Sequence, residues 1–264
     1  MRFFPQFPNG LSKCLTLSYD DSTIHNLQLV EIFNKYNLKA TFHINSALLD
    51  TPDNITAADV TEKLAEPGHE ISCHTANHPF LDHIPPMEAM REVWDDRATL
   101  EKLAGYPVIG MSYPYGTYNQ QVLDIIRNAG IVYSRTTQAT NRFFLPADYL
   151  TWHPTCHHRD CMGLVETFLK SPYPCSCFYV WGHAYEFDRN NNWDYIEGFA
   201  KAVANRDDVW YATNIEIYRY DTALKRLVFS TDRSKVFNPS ALTVWFAIGD
   251  KNYSIAPGET ISLD

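Results

Sequence analysis

The sequence lacks an apolar run long enough to cross a bilayer, and its first ten residues hold two prolines where a signal peptide would have a continuous apolar segment. It also lacks a cluster of lysine and arginine: 22 basic residues stand against 31 acidic ones, which gives a net charge of −9. We therefore expect a cytoplasmic protein with no membrane or nucleic-acid partner, whose ligands are neutral or cationic.

Paired thiols are absent as well, because none of the six cysteines forms a CxxC pair and several lie in apolar, strand-like contexts. This favours reduced thiols over disulfides. Hydrophobic residues, in contrast, make up 45% of the 264 positions, with 14% aromatic, which is enough for a sizeable core. The length fits one large α/β domain, alone or with a small appendage.

Two stretches place polar residues at the end of an apolar run. Asp20 and Asp21 end one run, and His74 and His78 follow another. Successive side chains at a strand end point in different directions, so one aspartate can face a metal and its neighbour a water. If the chain between the histidines turns helically, both rings lie on one side and can bind one ion. The aspartate pair alone fits a solvated turn and the histidine pair alone fits ordinary loop residues, but together they favour a metal site.

Five segments, in this order, resemble the motifs of the polysaccharide deacetylase (NodB homology) family. They are Ser18-Tyr19-Asp20-Asp21, Leu38-Lys39-Ala40-Thr41-Phe42, His74-Thr75-Ala76-Asn77-His78-Pro79, Tyr113-Pro114-Tyr115-Gly116 and Trp181-Gly182-His183. The resemblance implies a divalent metal held by Asp21, His74 and His78. Two nitrogen ligands and one oxygen ligand suit zinc, and the same set accommodates cobalt, iron or nickel.

The resemblance also implies roles for other motif residues. Asp20 corresponds to the general base, His183 to the general acid, and the backbone N–H of Tyr115 to the oxyanion donor. The family's third motif usually begins with an arginine that pairs with the base, but Ser112 occupies that position here. Arg135, at the end of the next predicted strand, is the nearest candidate for the missing cation. The aspartate-rich fourth motif is not recognisable.

Strand-like and helical segments alternate up to about residue 214, which indicates parallel strands joined by helical crossovers. Because the polar motif residues each follow a predicted strand, we predict an α/β barrel, and the family resemblance implies an irregular (β/α)7 barrel. We assign residues 1–215 to this barrel. Residues 216–264 alternate like antiparallel strands and form a small β appendage that covers the barrel, with glycan contact or homo-oligomer formation as alternatives.

The segment 152–158 is the one other polar cluster, with Trp152, His157 and His158 among its residues. Its spacing matches no familiar zinc module, so we favour a substrate-contacting loop in which Trp152 stacks on a sugar over a second metal site, with a loop of incidental histidines as the other alternative. Tyr185 and Trp193 are further candidates for the same groove, with core packing as the alternative.

The leading hypothesis is a metal-dependent hydrolase that removes acetyl groups from an amino sugar or an acetylated glycan. One alternative is hydrolysis of another small amide C–N bond on the same fold. A third hypothesis is a catalytically silent glycan-binding protein with a structural metal. Asp20 argues against that third hypothesis, because a binding protein has little use for a base beside a metal ligand.

Overall fold

The computed structural model describes residues 3–263; residues 1–2 and 264, the outer ends of the two predicted domains, lie outside the described residues. The strands are β1 (Phe3–Gln6), β2 (Lys13–Asp20), β3 (Ala40–Ile44), β4 (Glu70–Cys73), β5 (Gly110–Ser112), β6 (Tyr133–Arg135), β7 (Cys156–His157), β8 (Ser176–His183), β9 (Val209–Tyr211), β10 (Val228–Phe229), β11 (Lys235–Phe237), β12 (Val244–Ile248), β13 (Lys251–Ile255) and β14 (Thr260–Ser262). The helices are α1 (Asn26–Lys35), α2 (Ala57–Asp59), α3 (Pro86–Ala104), α4 (Gln120–Asn128), α5 (Val165–Leu169), α6 (Tyr185–Arg189), α7 (Trp193–Val203) and α8 (Asn214–Lys225). No helix between residues 3 and 263 is long and apolar enough to span a membrane.

Seven parallel strands form the wall of the barrel. Their hydrogen-bonded path runs β6-β5-β4-β3-β2-β8-β7, and β9 adds to the amino-terminal half of β2. The backbone of Trp152, just before β7, joins the chain to β6 at the other end of the path. Its N–H donates to the carbonyl of Ser134 at 3.0 Å, and its carbonyl accepts from Thr136 N–H at 3.1 Å. The predicted irregular (β/α)7 barrel is therefore confirmed.

The carboxyl ends of the barrel strands carry the polar motif residues at one edge. Asp20 ends β2 and His183 ends β8, and the two are paired in register. Ser112 and Arg135 end β5 and β6 and form a second registered pair. Parallel strands present their carboxyl ends together, so residues far apart in the sequence share one rim.

The helices cover the barrel with apolar faces. On α1 the buried side chains Leu29, Val30 and Phe33 recur at helical spacing and pack into the core of the barrel. α3 ends at Gly105, whose φ of 74° is the left-handed conformation that glycine adopts without steric cost.

The carboxyl-terminal residues form two small antiparallel sheets, β1-β12-β13 and β10-β11-β14. The predicted boundary at residue 215 falls inside α8, a helix that sequence analysis did not anticipate. Thr213 and Glu216 form a capping box at its start. β1 brings residues 3–6 to the sheet assigned to the appendage. The division into 1–215 and 216–264 stays a prediction.

The predicted substrate loop at 152–158 is wrong. Trp152 is fully buried and packs edge-on against Tyr179 with ring centroids 4.6 Å apart. His157 and His158 are 7% and 3% exposed. This segment forms barrel wall because its backbone completes the strand pairing, so its indole ring points into the core rather than toward a sugar.

Candidate active site

The three predicted metal ligands lie together at the carboxyl edge of the barrel. The Nε2 atoms of His74 and His78 are 3.1 Å apart, and Oδ1 of Asp21 lies 3.7 Å from each of them. Of the two conformations that the sequence allowed between the histidines, a loop or a helical turn, the structure has the loop. Thr75 and His78 instead adopt left-handed φ values of 66° and 59°, and a non-helical loop brings the second ring beside the first.

Polar groups behind His74 fix its ring and backbone. Its Nδ1 lies 2.9 Å from the carbonyl oxygen of Ser112, which accepts a hydrogen bond from it, and 2.7 Å from the Ser112 hydroxyl. Asp96, fully buried on α3, accepts the backbone N–H of His74 at 3.0 Å. A proton on Nδ1 leaves the Nε2 lone pair facing the other two ligands.

This donor set fits a divalent cation. Two imidazole nitrogens and one carboxylate oxygen, from His74, His78 and Asp21, all fall within 4.8 Å of one another. The outward hydrogen bond from the far nitrogen of His74 is the arrangement that metal-bound histidines adopt. All three residues line a cavity of about 260 Å³, which leaves room for water and substrate beside the ion.

Asp20 lies beside the ligands, but other groups hold its carboxylate. Arg135 donates from Nη2 to Oδ2, and the Ser112 hydroxyl donates to Oδ1 at 3.0 Å. Both Asp20 and Arg135 are almost completely buried. Burial alone would raise the pKa of Asp20, but the charge of Arg135, and then that of His74, lowers it well below its usual range. The carboxylate is therefore ionised and able to accept a proton.

His183 lines the same cavity, and its ring is hydrogen-bonded to the carboxylate of Glu186, a residue that sequence analysis did not identify. Its Nδ1 donates to Oε1 of Glu186 at 2.7 Å. Burial would lower the pKa of His183, but the hydrogen bond to Glu186 and the charges of nearby carboxylates, Asp20 first among them, together raise it above its ordinary value. His183 is thus favoured in the protonated form that a proton donor requires.

Tyr115 and Gly116 line the cavity on a turn in which both residues have positive φ, 58° and 74°. A Cβ at Gly116 would lie 2.2 Å from Oγ1 of Thr137, so only glycine permits this close approach. The ring of Tyr115 lies edge-on to His78 with centroids 4.5 Å apart. Tyr185 also lines the cavity, whereas Trp193 packs against the barrel core.

The family model for polysaccharide deacetylase matches residues 8–134, the segment that contains the three candidate metal ligands, Asp20 and Tyr115. Over this segment, just under half of its length, the chain resembles the polysaccharide deacetylase family. It is 26% identical over 127 residues to the Bacillus subtilis protein YxkH, and 25% identical over 148 residues to the peptidoglycan-N-acetylglucosamine deacetylase PgdA of Listeria monocytogenes. Each match covers 48% of this chain, and they cover 45% and 30% of those relatives' own lengths.

The fold likeness extends further along the chain than the sequence likeness. A solved polysaccharide deacetylase homologue from Mycobacterium smegmatis superposes with a TM-score of 0.63 over 84% of this chain and 94% of that chain, at 16% identity. At that identity the likeness shows the fold alone. Arg135, His183 and Glu186 lie beyond the segment that matches the deacetylase family model.

The buried pair of Asp20 and Arg135 leads to a stability prediction. Replacing Arg135 with methionine keeps the volume but leaves a buried carboxylate without its cation. We expect the free energy of unfolding of metal-free protein to fall by about 3–5 kcal/mol, the usual cost of breaking a buried ion pair from one side. Urea titration measures this change.

The matched control is the double variant Arg135→Met with Asp20→Asn, which removes both charges. It should recover at least half of the lost stability, because no buried charge then lacks a partner. A double variant as unstable as Arg135→Met would show that packing, and not the ion pair, explains the loss.

Proposed function

We propose that the protein is a metal-dependent carbohydrate deacetylase that hydrolyses acetyl groups on an amino sugar or an acetylated glycan. The observation that carries the proposal is the convergence, on one cavity, of the metal-type ligands, the ionised Asp20 and the hydrogen-bonded His183. A base and an acid flanking an open ligand set are what acyl hydrolysis requires.

His74, His78 and Asp21 would hold the cation, with zinc the best match to two nitrogens and one oxygen. When bound, a divalent ion there lowers the pKa of water and polarises an acyl carbonyl. Asp20, oriented by Arg135 and Ser112, accepts the proton of the attacking water.

The backbone N–H of Tyr115 donates to the oxygen that gains charge as the tetrahedral carbon forms. His183 delivers a proton from Nε2 to the departing amine or alkoxide, while Glu186 holds Nδ1. Loss of the amine or alkoxide leaves acetate as the second product.

The relative PgdA is named for deacetylation of an N-acetylated sugar, which supports an N-acetyl group as the first substrate to test. The test measures acetate release from N-acetylated oligosaccharides, O-acetylated xylan and an aryl acetate, using chelator-treated protein before and after addition of zinc or cobalt. We expect no release without metal and restored release with either ion. The substrate that is hydrolysed fastest identifies the class.

Failure to release acetate from any substrate, with one ion bound per chain, would contradict the deacetylase proposal. Release that is equally fast with and without metal would contradict the metal dependence. Ammonia or amine release from a cyclic amide under the same conditions would favour hydrolysis of another C–N bond.

A further inference from the structure

A second cluster of histidines surrounds a single carboxylate next to the proposed acid. Besides His183, Glu186 faces two buried rings: Nε2 of His157 lies 3.2 Å from its Oε1, and Nε2 of His158 lies 3.5 Å from its Oε2. Two of these rings and the carboxylate form a group compact enough to hold an ion. The protons on the rings decide whether the cluster is a metal site or a hydrogen-bond network.

The geometry around His157 places its proton on Nε2. Its Nδ1 accepts the backbone N–H of Arg159 at 3.4 Å, and a nitrogen that accepts a hydrogen bond carries no proton. The neutral ring therefore donates from Nε2 to Glu186 and has no lone pair there for a metal. Binding an ion through Nε2 would shift the proton to Nδ1, where it would meet the N–H of Arg159.

The surroundings of His158 lead to the same assignment. Its Nδ1 is buried without a hydrogen-bond partner among residues 3–263. A Cβ at Gly182 would lie only 2.0 Å from that nitrogen, so the ring packs directly on the glycine backbone. The nitrogen that faces Glu186 can bond only as a donor, because an ionised carboxylate offers acceptors alone. The proton belongs on Nε2, which faces Glu186.

Glu186 therefore accepts hydrogen bonds from three histidines. Burial would raise the pKa of its carboxyl group, but these hydrogen bonds together outweigh burial, and the pKa lies far below its usual range. The carboxylate stays ionised, and each of its two oxygens has a histidine partner. Arg189 adds a weaker contact, 3.9 Å from Oε2. A carboxylate held in this way has a single orientation toward Nδ1 of His183.

We propose that His157 is a positioning residue that acts through Glu186, and that this cluster is a hydrogen-bond clamp for the His183 ring rather than a second metal site. The clamp fixes the tautomer of His183 with Nδ1 protonated toward Glu186, and so aims its Nε2 at the cavity. The role in proton delivery rests on the proposed deacetylase function, whereas the tautomers and the metal count do not.

The first test needs neither a variant nor a substrate. In metal-free protein labelled with ¹⁵N-histidine, at a pH high enough to leave the His183 ring neutral, long-range ¹H–¹⁵N spectra distinguish the two neutral tautomers of each ring. We expect His157 and His158 with protons on Nε2 and His183 with a proton on Nδ1. A proton on Nδ1 of His157 would overturn the proposal. A zinc titration in which the wild-type protein binds two ions per chain and His157→Phe binds one would also overturn the proposal.

The second test compares two substitutions at His157. The side-chain amide of His157→Gln can still donate to Glu186, whereas His157→Phe cannot. We expect His157→Phe to lower kcat for the best acetylated substrate roughly tenfold with KM changed less than about twofold, the low end of the losses typical of outer partners, because His157 acts on His183 only through Glu186. His157→Gln should retain at least about a third of the wild-type kcat.

The NMR signature separates positioning from general damage to the fold. In His157→Phe we expect His183 to show a mixture of both tautomers, and in His157→Gln the wild-type tautomer. A His183 ring that keeps its Nδ1 proton in both variants, or a Gln variant as slow as the Phe variant, would overturn the proposal. If wild-type protein releases no acetate, the deacetylase function fails while the tautomer result still decides the clamp.

Discussion

Replacing Asp20 with asparagine is expected to lower kcat for acetate release by about 10³-fold, because a neutral amide cannot take the proton of the attacking water. The carboxylate is ionised and lies 3.9 Å from Nε2 of His74, at the edge of the ligand set but held by Arg135 and Ser112. The substitution keeps the shape of the side chain and should leave one zinc bound per chain. Steady-state kinetics and metal analysis of the same preparation give both values.

Asp20→Asn also leaves the buried Arg135 without its anion, so a control must separate loss of the base from loss of stability. The double variant Asp20→Asn with Arg135→Met removes that unpaired charge. Its turnover should remain as low as that of Asp20→Asn although its stability is higher. Turnover of either variant within about tenfold of wild type would show that another group is the base.

The prediction that Asp20 and His183 lie at one rim depends on strand ends. Asp20 and His183 follow apolar runs, and parallel strands bring such ends to one rim whatever the sequence separation. The helical turn considered for the histidine pair does not form, although the pair itself meets at Asp21. Side chains four residues apart converge on a helix, but they also converge across a loop with left-handed residues, and the spacing alone does not distinguish the two.

Residues that act through tertiary contacts were missed. Glu186 has no motif of its own, and only its position three residues after His183, at the start of α6, could have suggested a hydrogen bond. Trp152 was assigned to a substrate loop because polar neighbours made the segment look exposed. Its burial arises from pairing with β6, which is a contact that local sequence does not encode.

The role of His183 predicts a dependence on the leaving group. In His183→Gln the amide can still bond to Glu186 but has no proton to deliver, so an N-acetylated sugar, whose amine leaves only when protonated, should be hydrolysed about 10²- to 10³-fold more slowly. A 4-nitrophenyl leaving group departs as a stable anion and needs no proton. Hydrolysis of 4-nitrophenyl acetate should therefore fall less than about tenfold.

The decisive quantity is the ratio of the rate loss on the N-acetylated sugar to the rate loss on 4-nitrophenyl acetate. Both rates come from one preparation, so any loss of folded protein lowers both equally and cancels in the ratio. His25→Gln, a substitution at a histidine that does not line the cavity, should leave both rates unchanged. Equal losses on the two substrates would mean that His183 acts before departure of the leaving group, for instance by positioning the acyl group. A loss confined to the amide substrate would mean that the Glu186-held ring is the proton donor and would connect the clamp behind it directly to catalysis.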